Sequence, residues 1–133
     1  MIDRGLLTRK LSNLQQALDE LTRYAPPTLA QYRTDTLRRR ATERLLPVII
    51  ETAVDINMHL ATVVLGRPSP DYYSSFGDAA AAGAVSHALA QSLAPSAGLR
   101  NRLVHEYNQI DDEIVFAAAK GPGGCINGTS NRC

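Results

Sequence analysis

The stretch DRGLLTRKLSNLQQALDELTRY, residues 3–24, shows the pattern that the rest of the chain follows. Its leucines at positions 7, 11, 14, 18 and 21 recur at alternating steps of four and three residues. That spacing places them on one stripe of an α-helix, because about 3.6 residues make one turn. Pro26 and Pro27 end this helix, since proline lacks the backbone donor that a helix needs. The stretch therefore predicts a helix that packs a leucine face against other helices.

A second helical run continues the pattern as far as Leu65, beginning at either Thr28 or Thr36. Pro47 either bends this run or marks its true start. The apolar residues expected on its buried stripe are Leu46, Ile49, Ala53, Ile56, Leu60 and Val63. After a loop rich in glycine and proline, a helix is expected to restart near Ser75.

Three further runs complete the predicted architecture. Residues 76–93 are rich in alanine and favour a helix, which Gly83 weakens in its middle. Residues 97–105 form the next run, and a short last helix begins near Asp111. No strand pattern of any strength is present, so we predict an all-α fold, an up-and-down bundle of four main helices with a short fifth.

The end of the chain differs in composition. Residues 120–133, KGPGGCINGTSNRC, contain glycines and polar residues and almost nothing to bury. We therefore expect a helical domain over residues 1–119 and a flexible tail over residues 120–133. Both cysteines lie in this tail, so no disulfide framework is expected.

Composition limits the function classes. The chain has 133 residues, of which 44% are hydrophobic and 20% charged, as in a single soluble domain. A formal net charge of only +1 excludes the overall basic excess of many nucleic-acid binders, so any RNA contact has to come from a local patch. The uninterrupted apolar stretches are too short for a membrane span and the start is unlike a signal peptide. The expected compartment is the cytoplasm.

Arg100 and His105 are the candidate catalytic pair. Chemically they suit RNA, because a histidine exchanges protons near neutral pH and an arginine offsets the charge of a phosphate. Neither step needs a metal or another cofactor. Five residues along a helix correspond to about 500° of rotation, so the two side chains point about 140° apart. A joint site then needs either a helix end near His105 or a second subunit. The simpler alternative is a surface arginine and a histidine that caps a helix end.

The residues around this pair carry a family resemblance. The segment GLRNRLVHEYNQIDDEIVF, residues 98–116, resembles the signature of the HepT-like toxins of the HEPN superfamily. That signature is an arginine, a polar residue, three more residues, a histidine, any residue and a tyrosine, here from Arg100 through Asn101 and His105 to Tyr107. Glu51 and Asp55 resemble the acidic pair that many HEPN ribonucleases carry, although a solvated helix face would look the same.

This resemblance implies a function. It implies a toxin that cuts RNA, a metal-independent endoribonuclease that dimerises so that Arg100 and His105 of both chains line one cleft. His105 would activate the ribose 2′-hydroxyl for attack on the adjacent phosphate, and Arg100 and Asn101 would hold that phosphate. The RNA could be transfer RNA or messenger RNA. Glu51 and Asp55 would help to position it.

The resemblance also implies a partner. HepT-like toxins are typically encoded beside a minimal nucleotidyltransferase (MNT) antitoxin, and the implied inhibition is the addition of AMP to Tyr107. Phosphate charge and a bulky base would then occupy the place where RNA must lie. Alternatively, Tyr107 only anchors a turn. Two rival functions remain: a non-catalytic HEPN module that binds nucleotide or a nucleotidyltransferase, and a helical interaction protein without a ligand.

Other polar and aromatic residues admit two interpretations each. The basic run of Arg38, Arg39 and Arg40 with Arg44 could contact RNA phosphates or form a solvated helix end.

The adjacent Tyr72 and Tyr73 could stack on bases, although packing on the bundle is the simpler interpretation. His59 follows Asp55 by one helical turn, yet a metal site in a bundle would need paired Glu-x-x-His motifs, which are absent. We expect His59 and His87 to be structural or exposed.

Overall fold

The computed structural model describes residues 3–105 and 111–129, with the side chains of these residues as far as Lys120. Within these parts the chain forms helices and no strand, which confirms the predicted all-α class. The helices are α1 (Arg4–Tyr24), α2 (Leu29–Thr34), α3 (Thr36–Leu60), α4 (Tyr72–Ala81), α5 (His87–Leu93), α6 (Ser96–His105) and α7 (Asp112–Thr129). One π-helical segment, Ala61–Leu65, extends α3.

Short polar side chains fix where several of these helices begin. The side chains of Asp3, Thr28, Asp35, Asp71 and Ser86 each accept a hydrogen bond from a backbone N–H three residues later. Such a cap typically contributes about 1 kcal/mol. Two of these caps explain why the sequence left two starts open for the second run. Thr28 begins the short α2, and Asp35 ends α2 and begins α3.

Helix α3 is the centre of the bundle, since α1, α2, α4, α6 and α7 all pack against it. Pro47 lies inside this helix and is buried, so it does not mark the start of the run. The continuous helix Thr36–Leu65 is long and apolar enough, by length and composition, to cross a membrane, although its apolar stretches are interrupted in sequence. The same length and composition are common in the core helices of helical bundles.

Two clusters of buried side chains form the core. One joins α1, α2, α3, α6 and α7 through Leu21, Tyr32, Leu46, Leu99, Leu103 and Val115. The other joins α3, α4 and α5 and the turn before α6, through Ile50, Val54, Phe76, Ala80, Ala90 and Ala94. The motif helix α6 is therefore fixed through Leu99 and Leu103, which leaves its polar side chains on other faces.

The predicted stripes match this core only in part. In α1, Leu21 is buried but Leu11 and Leu18 are 52% and 38% exposed, because α1 lies at the edge of the bundle and packs mainly on α3. In α3, the predicted Leu46 and Ile56 are buried together with Ile50 and Val54, which the sequence did not single out. A central helix with neighbours on several sides has no single stripe.

The alanine-rich run and the last helix also differ from prediction. Gly83 adopts a φ of +86°, a left-handed conformation that ends α4, so the run becomes two helices rather than one weakened helix. Helix α7 begins one residue after Asp111 and its backbone is helical to Thr129, past the expected end at residue 119. The low helix propensity of glycine and proline had indicated an earlier end. The division of the chain into a domain and a tail at residue 120 stays a prediction.

A network of charged side chains holds α7 against α2 and α3. The guanidinium of Arg39 donates to both carboxylate oxygens of Asp112, at 2.7 and 3.3 Å, and lies 5.0 Å from the ring centroid of Tyr32. The hydroxyl of Tyr32 donates to Glu43 at 3.1 Å. Burial, together with the charge of Glu43, raises the pKa of Tyr32, which keeps the hydroxyl protonated as a donor. This network fixes the start of α7, just after the segment 106–110.

Candidate active site

Arg100 lies on α6 and reaches across to α3. Its Nη2 donates to Oε1 of Glu51 at 2.9 Å, and its Nη1 donates to Oδ1 of the neighbouring Asn101 at 3.2 Å. The side chain is only 18% exposed, whereas Glu51 is 41% exposed. Arg100 is therefore a largely buried cation held by a more accessible carboxylate. Such an arrangement fixes the guanidinium while leaving its carboxylate partner open to solvent.

Tyr72 provides a second support for Arg100. The Cζ atom of Arg100 lies 5.4 Å from the centroid of the Tyr72 ring, within the range of a cation–π interaction. The Nε atom of Arg100 is buried and has no hydrogen-bond partner among residues 3–105 and 111–129. An unpaired buried N–H costs about 1 to 3 kcal/mol, so Arg100 is a side chain with unused donor capacity. Unsatisfied groups of this kind commonly lie at sites where a ligand completes the bonding.

The start of α4 is fixed by its own contacts, and these determine where Tyr72 lies. Oδ1 of Asp71 accepts from the backbone N–H of Ser74 at 2.7 Å, and this hydrogen bond lowers the pKa of Asp71. One turn further on, the carboxylate of Asp78 accepts from Arg67 at 2.8 and 3.2 Å and from Ser69 at 2.7 Å. These contacts tie the preceding loop to α4, so Tyr72 is positioned on a rigid frame beside Arg100.

The structure brings together only one member of the acidic pair and Arg100. Glu51 contacts Arg100, but Asp55, one turn further along α3, pairs with Nζ of Lys10 on α1 at 3.2 Å. Glu51 therefore pairs with a cation on α6, and Asp55 pairs with a cation on α1. Lys10 was not a sequence candidate, because a lysine near the start of a helix has no distinguishing signal.

His105 is the last residue of α6 and is exposed. The helix is continuous from Ser96 through His105, so the pair keeps the spacing of about 140° around one helix axis. Within one chain, Arg100 and His105 therefore face different sides of α6. Tyr107, which the signature singles out as a modification site, lies outside the described residues, as does the rest of the segment 106–110.

The arginine run is engaged in ion pairs within the bundle. Arg38 pairs with Asp35, Arg39 with Glu43 and Asp112, and Arg40 with Glu43. Neither sequence interpretation anticipated these pairs: carboxylates of the bundle, rather than solvent alone, neutralise Arg38, Arg39 and Arg40.

The other two histidines have separate surroundings. Nε2 of His59 accepts from the backbone N–H of Asp3 at 3.4 Å, and His87 is exposed at the start of α5. Among residues 3–105 and 111–129, no group of three or more His, Cys, Asp or Glu side chains is placed to hold a metal ion. The expectation that the chain needs no metal stays a prediction.

Sequence reasoning identified Arg100, Asn101 and Glu51, which the structure places in contact, but it missed Tyr72 as a partner of Arg100. Tyr72 was expected either to stack on bases or, more simply, to pack on the bundle, and nothing in the sequence shows that the start of α4 reaches α6. A contact between residues that are 28 positions apart depends on how the loop before α4 turns, which periodicity does not reveal.

Comparisons of this chain with protein-family models and with known sequences give results that agree with one another. The family model described as "Ribonuclease HepT-like" matches residues 14–121. The chain is 34% identical over 117 residues to a protein of Aphanizomenon flos-aquae (strain 2012/KM1/D3) named "tRNA nuclease HepT", covering 88% of this chain and 80% of that protein. A protein of Archaeoglobus fulgidus is 38% identical over 71 residues, which is 53% of each chain.

A solved structure has a similar fold. The structure described as "Crystal structure of the toxin-antitoxin with AMP-PNP" superposes with a TM-score of 0.77, covering 89% of each chain at 18% sequence identity. At that identity the likeness concerns the fold. It places these helices in an arrangement already known from experiment.

Proposed function

The chain belongs to the ribonuclease HepT-like family and is an endoribonuclease, and from this premise we propose that it cleaves RNA without a metal ion, with His105 and Arg100 as catalytic residues. The observation that supports this proposal most is the environment of the Arg100 side chain. The side chain is 18% exposed and held by Glu51 and Tyr72, and its buried Nε–H has no partner in the part of the chain that the structure describes. A cation fixed in this way is preorganised to stabilise charge on a phosphate.

The proposed reaction is a transfer within the RNA strand. His105 removes the proton from a ribose 2′-hydroxyl, and the 2′-oxygen forms a bond to the adjacent phosphorus. The bond from phosphorus to the 5′-oxygen of the next nucleotide breaks, and that oxygen takes up a proton. The products are a 2′,3′-cyclic phosphate and a 5′-hydroxyl. A histidine suits this step, because an imidazole nitrogen can accept a proton and later return it.

Arg100 acts on the phosphate. In the free protein its guanidinium is neutralised by Glu51, and two oxygens of a phosphate group offer a second, bidentate acceptor of similar geometry. Asn101, which already contacts Arg100, holds the guanidinium and adds a donor. Asp55 helps indirectly, because its ion pair with Lys10 holds α1 against α3, the helix that carries Glu51.

We propose that two chains form the complete site as a homodimer. Arg100 and His105 point about 140° apart on one helix, so a second α6 is needed to bring a histidine toward an arginine. Val104 lies between them in sequence and is an apolar side chain that is 45% exposed on this helix. In an isologous dimer, the same surface of each chain would pair with its copy.

We further propose transfer RNA as the substrate and a toxin role in the cytoplasm. The substrate rests on the name of the Aphanizomenon relative and the toxin role on the description of the similar solved structure. The cytoplasm stays an expectation from the sequence. The proposed antitoxin is a nucleotidyltransferase of the MNT type that adds AMP to Tyr107. A bulky anion two residues from His105 would block the approach of RNA phosphates. Replacing Tyr107 with phenylalanine should abolish the gain in mass that the partner and ATP produce.

The test of the proposed function is RNA cleavage by matched variants. Purified wild type, His105→Ala and Arg100→Ala are incubated with total transfer RNA in EDTA, with Arg23→Ala as an exposed arginine control. We expect cleavage by wild type and Arg23→Ala and a loss of at least a hundredfold in the other two. Cleavage by His105→Ala at the wild-type rate would overturn the proposal. Absence of cleavage by unmodified wild type would favour a non-catalytic binding module.

A further inference from the structure

A cleft of about 390 Å³ opens between α4 and α5, beside the site but not part of it. The residues that line it are Tyr73, Ser74, Gly77, His87, Ala90, Gln91 and Ala94. None of them contacts Arg100, Glu51 or Asn101 in the interactions described above. Tyr73 is 61% exposed, unusual for a large aromatic side chain that has a bundle to pack against.

The cleft begins one residue away from the proposed phosphate site. Tyr72 and Tyr73 are consecutive in the first turn of α4, and consecutive Cα atoms are about 3.8 Å apart. Tyr72 lies against Arg100, whereas Tyr73 lines the cleft. Because the Asp71 cap fixes this turn, the two tyrosines hold a constant relation to each other. Successive residues of a helix point about 100° apart, so the cleft and the Arg100 contact lie on neighbouring faces of α4.

The lining has the chemistry of a base-binding site. Gly77, Ala90 and Ala94 are small, and they leave room for a flat ring. Tyr73 offers an aromatic face, and proteins that read unpaired RNA stack its bases on such faces.

The polar groups of the cleft can read the edge of a base. The Gln91 amide and the His87 imidazole provide both donors and acceptors, whereas the Ser74 hydroxyl already bonds to Asp71. We propose that this cleft binds an unpaired base of the RNA substrate, adjacent to the phosphate at Arg100, and thereby selects where the RNA is cut. The proposal rests on the proposed function.

Gly77 allows the cleft to be filled without disturbing the fold. A Cβ atom built on Gly77 meets no other atom within 4 Å, so a side chain there enters open space. Gly77 lies inside α4, where replacing glycine by a helix former such as leucine favours the helix by about 0.5 to 1 kcal/mol. Gly77→Leu should therefore occupy the cleft in a protein that folds at least as well as wild type.

The first arm of the test reads the cut sites. Wild type, Gly77→Leu, Tyr73→Ala and Tyr73→Phe cleave a pool of random-sequence, single-stranded RNA, and the product ends are sequenced. We expect wild type and Tyr73→Phe to prefer one base at one position next to the cut. Gly77→Leu and Tyr73→Ala should lose about tenfold of that preference, with KM raised more than kcat is lowered. Unchanged preference in Gly77→Leu would overturn the proposal.

The second arm measures binding and does not depend on cleavage. A failure of the cleft proposal can therefore be distinguished from a failure of the proposed function. His105→Ala is titrated with a ten-nucleotide RNA that carries 2-aminopurine, whose fluorescence falls when it stacks. We expect quenching by His105→Ala, and about tenfold weaker binding with little quenching when Gly77→Leu is added. Equal quenching by His105→Ala and by the double variant with Gly77→Leu would overturn the proposal that the cleft binds a base, even if wild type cuts RNA. A changed sedimentation of Gly77→Leu with unchanged quenching would assign the cleft to a protein contact and overturn the proposal as well.

Discussion

Arg100 on α6 donates from Nη2 to Oε1 of Glu51 on α3, at 2.9 Å, and this ion pair joins the motif helix to the central helix of the bundle. The arginine is the more buried partner, so the pair is more than a surface contact. Its geometry defines the direction in which the guanidinium points. Substitutions of the residues that contact Arg100 therefore test how the guanidinium is positioned, separately from the reaction that Arg100 and His105 carry out in the proposal.

Replacing Glu51 by glutamine should lower kcat about tenfold while leaving the fold intact. Glutamine keeps an acceptor but loses the charge that fixes the guanidinium, and small misplacements of a catalytic group cost rate steeply. KM should fall or stay constant, because Arg100 would no longer be neutralised before RNA binds. Steady-state kinetics on transfer RNA check this, with the exposed Asp19→Asn on α1 as control. A raised KM at constant kcat would contradict a positioning role for Glu51.

Tyr72 should tolerate phenylalanine but not alanine. The Arg100 guanidinium contacts the ring face, which phenylalanine retains, and a cation–π contact at a partly buried site contributes about 1 to 2 kcal/mol. We expect Tyr72→Phe to cleave RNA within threefold of wild type and Tyr72→Ala to cleave about tenfold more slowly. If both variants lost activity equally, the hydroxyl rather than the ring face would be the group that matters.

Asp78 should make the stability of the protein depend on pH below 4. Hydrogen bonds from Arg67 and then Ser69 lower its pKa below the ordinary value of 3.8. A carboxyl with a lowered folded-state pKa stabilises the fold above the unfolded value and loses this contribution as pH falls through the folded one. Because Arg67 is half-exposed, we expect a loss of only about 1 kcal/mol.

Urea unfolding at pH 5 and pH 2.5 measures this contribution. Asp78→Asn should be less stable than wild type at pH 5, and the difference should shrink at pH 2.5. A difference that is equal at the two pH values would show that the Asp78 charge does not contribute. Asp19→Asn, which removes an exposed carboxylate, should follow wild type at both.

The network at the start of α7 should matter for stability more than for chemistry. Arg39→Gln removes the bidentate pair with Asp112, and we expect a loss of about 1 to 2 kcal/mol in the free energy of unfolding. Arg38→Gln removes an exposed pair with Asp35 and a long hydrogen bond to the carbonyl of Arg23, and it should cost less than about 0.5 kcal/mol. Chemical denaturation compares the two variants. Equal losses would show that the bidentate geometry contributes nothing.

The all-α class and the main helix starts could be predicted from local features. Leucine spacing, prolines and capping residues act within a few positions of one another, and Thr28 and Asp35 show that two apparently competing starts were both real. Predictions of burial, which depends on how the helices pack against one another, were less accurate. Leu11 and Leu18 fit the stripe of α1, yet they are exposed because α1 packs mainly on one helix.

The residues of the candidate site could be identified from the sequence, but the contacts between them could not. Arg100 and Asn101 came from one motif, and Glu51 from a resemblance on another helix. That Glu51 and not Asp55 faces Arg100 depends on how α3 is rotated in the bundle, and Asp55 turned instead to Lys10. Tyr72 joined the site through the fold of the loop that Arg67 and Asp78 tie down. Such contacts form between distant residues, which a periodicity within one helix cannot encode.

The most direct measurement is the chemistry of the product ends in the presence of EDTA. A transfer RNA cut by wild type is compared with the same RNA carrying a single 2′-deoxyribose immediately before the cut. We expect a 2′,3′-cyclic phosphate and a 5′-hydroxyl from the normal RNA, and no cut at the deoxyribose. Cleavage at the deoxyribose, or products that end in a 3′-hydroxyl, would contradict attack by the 2′-oxygen and with it the proposed roles of His105 and Arg100.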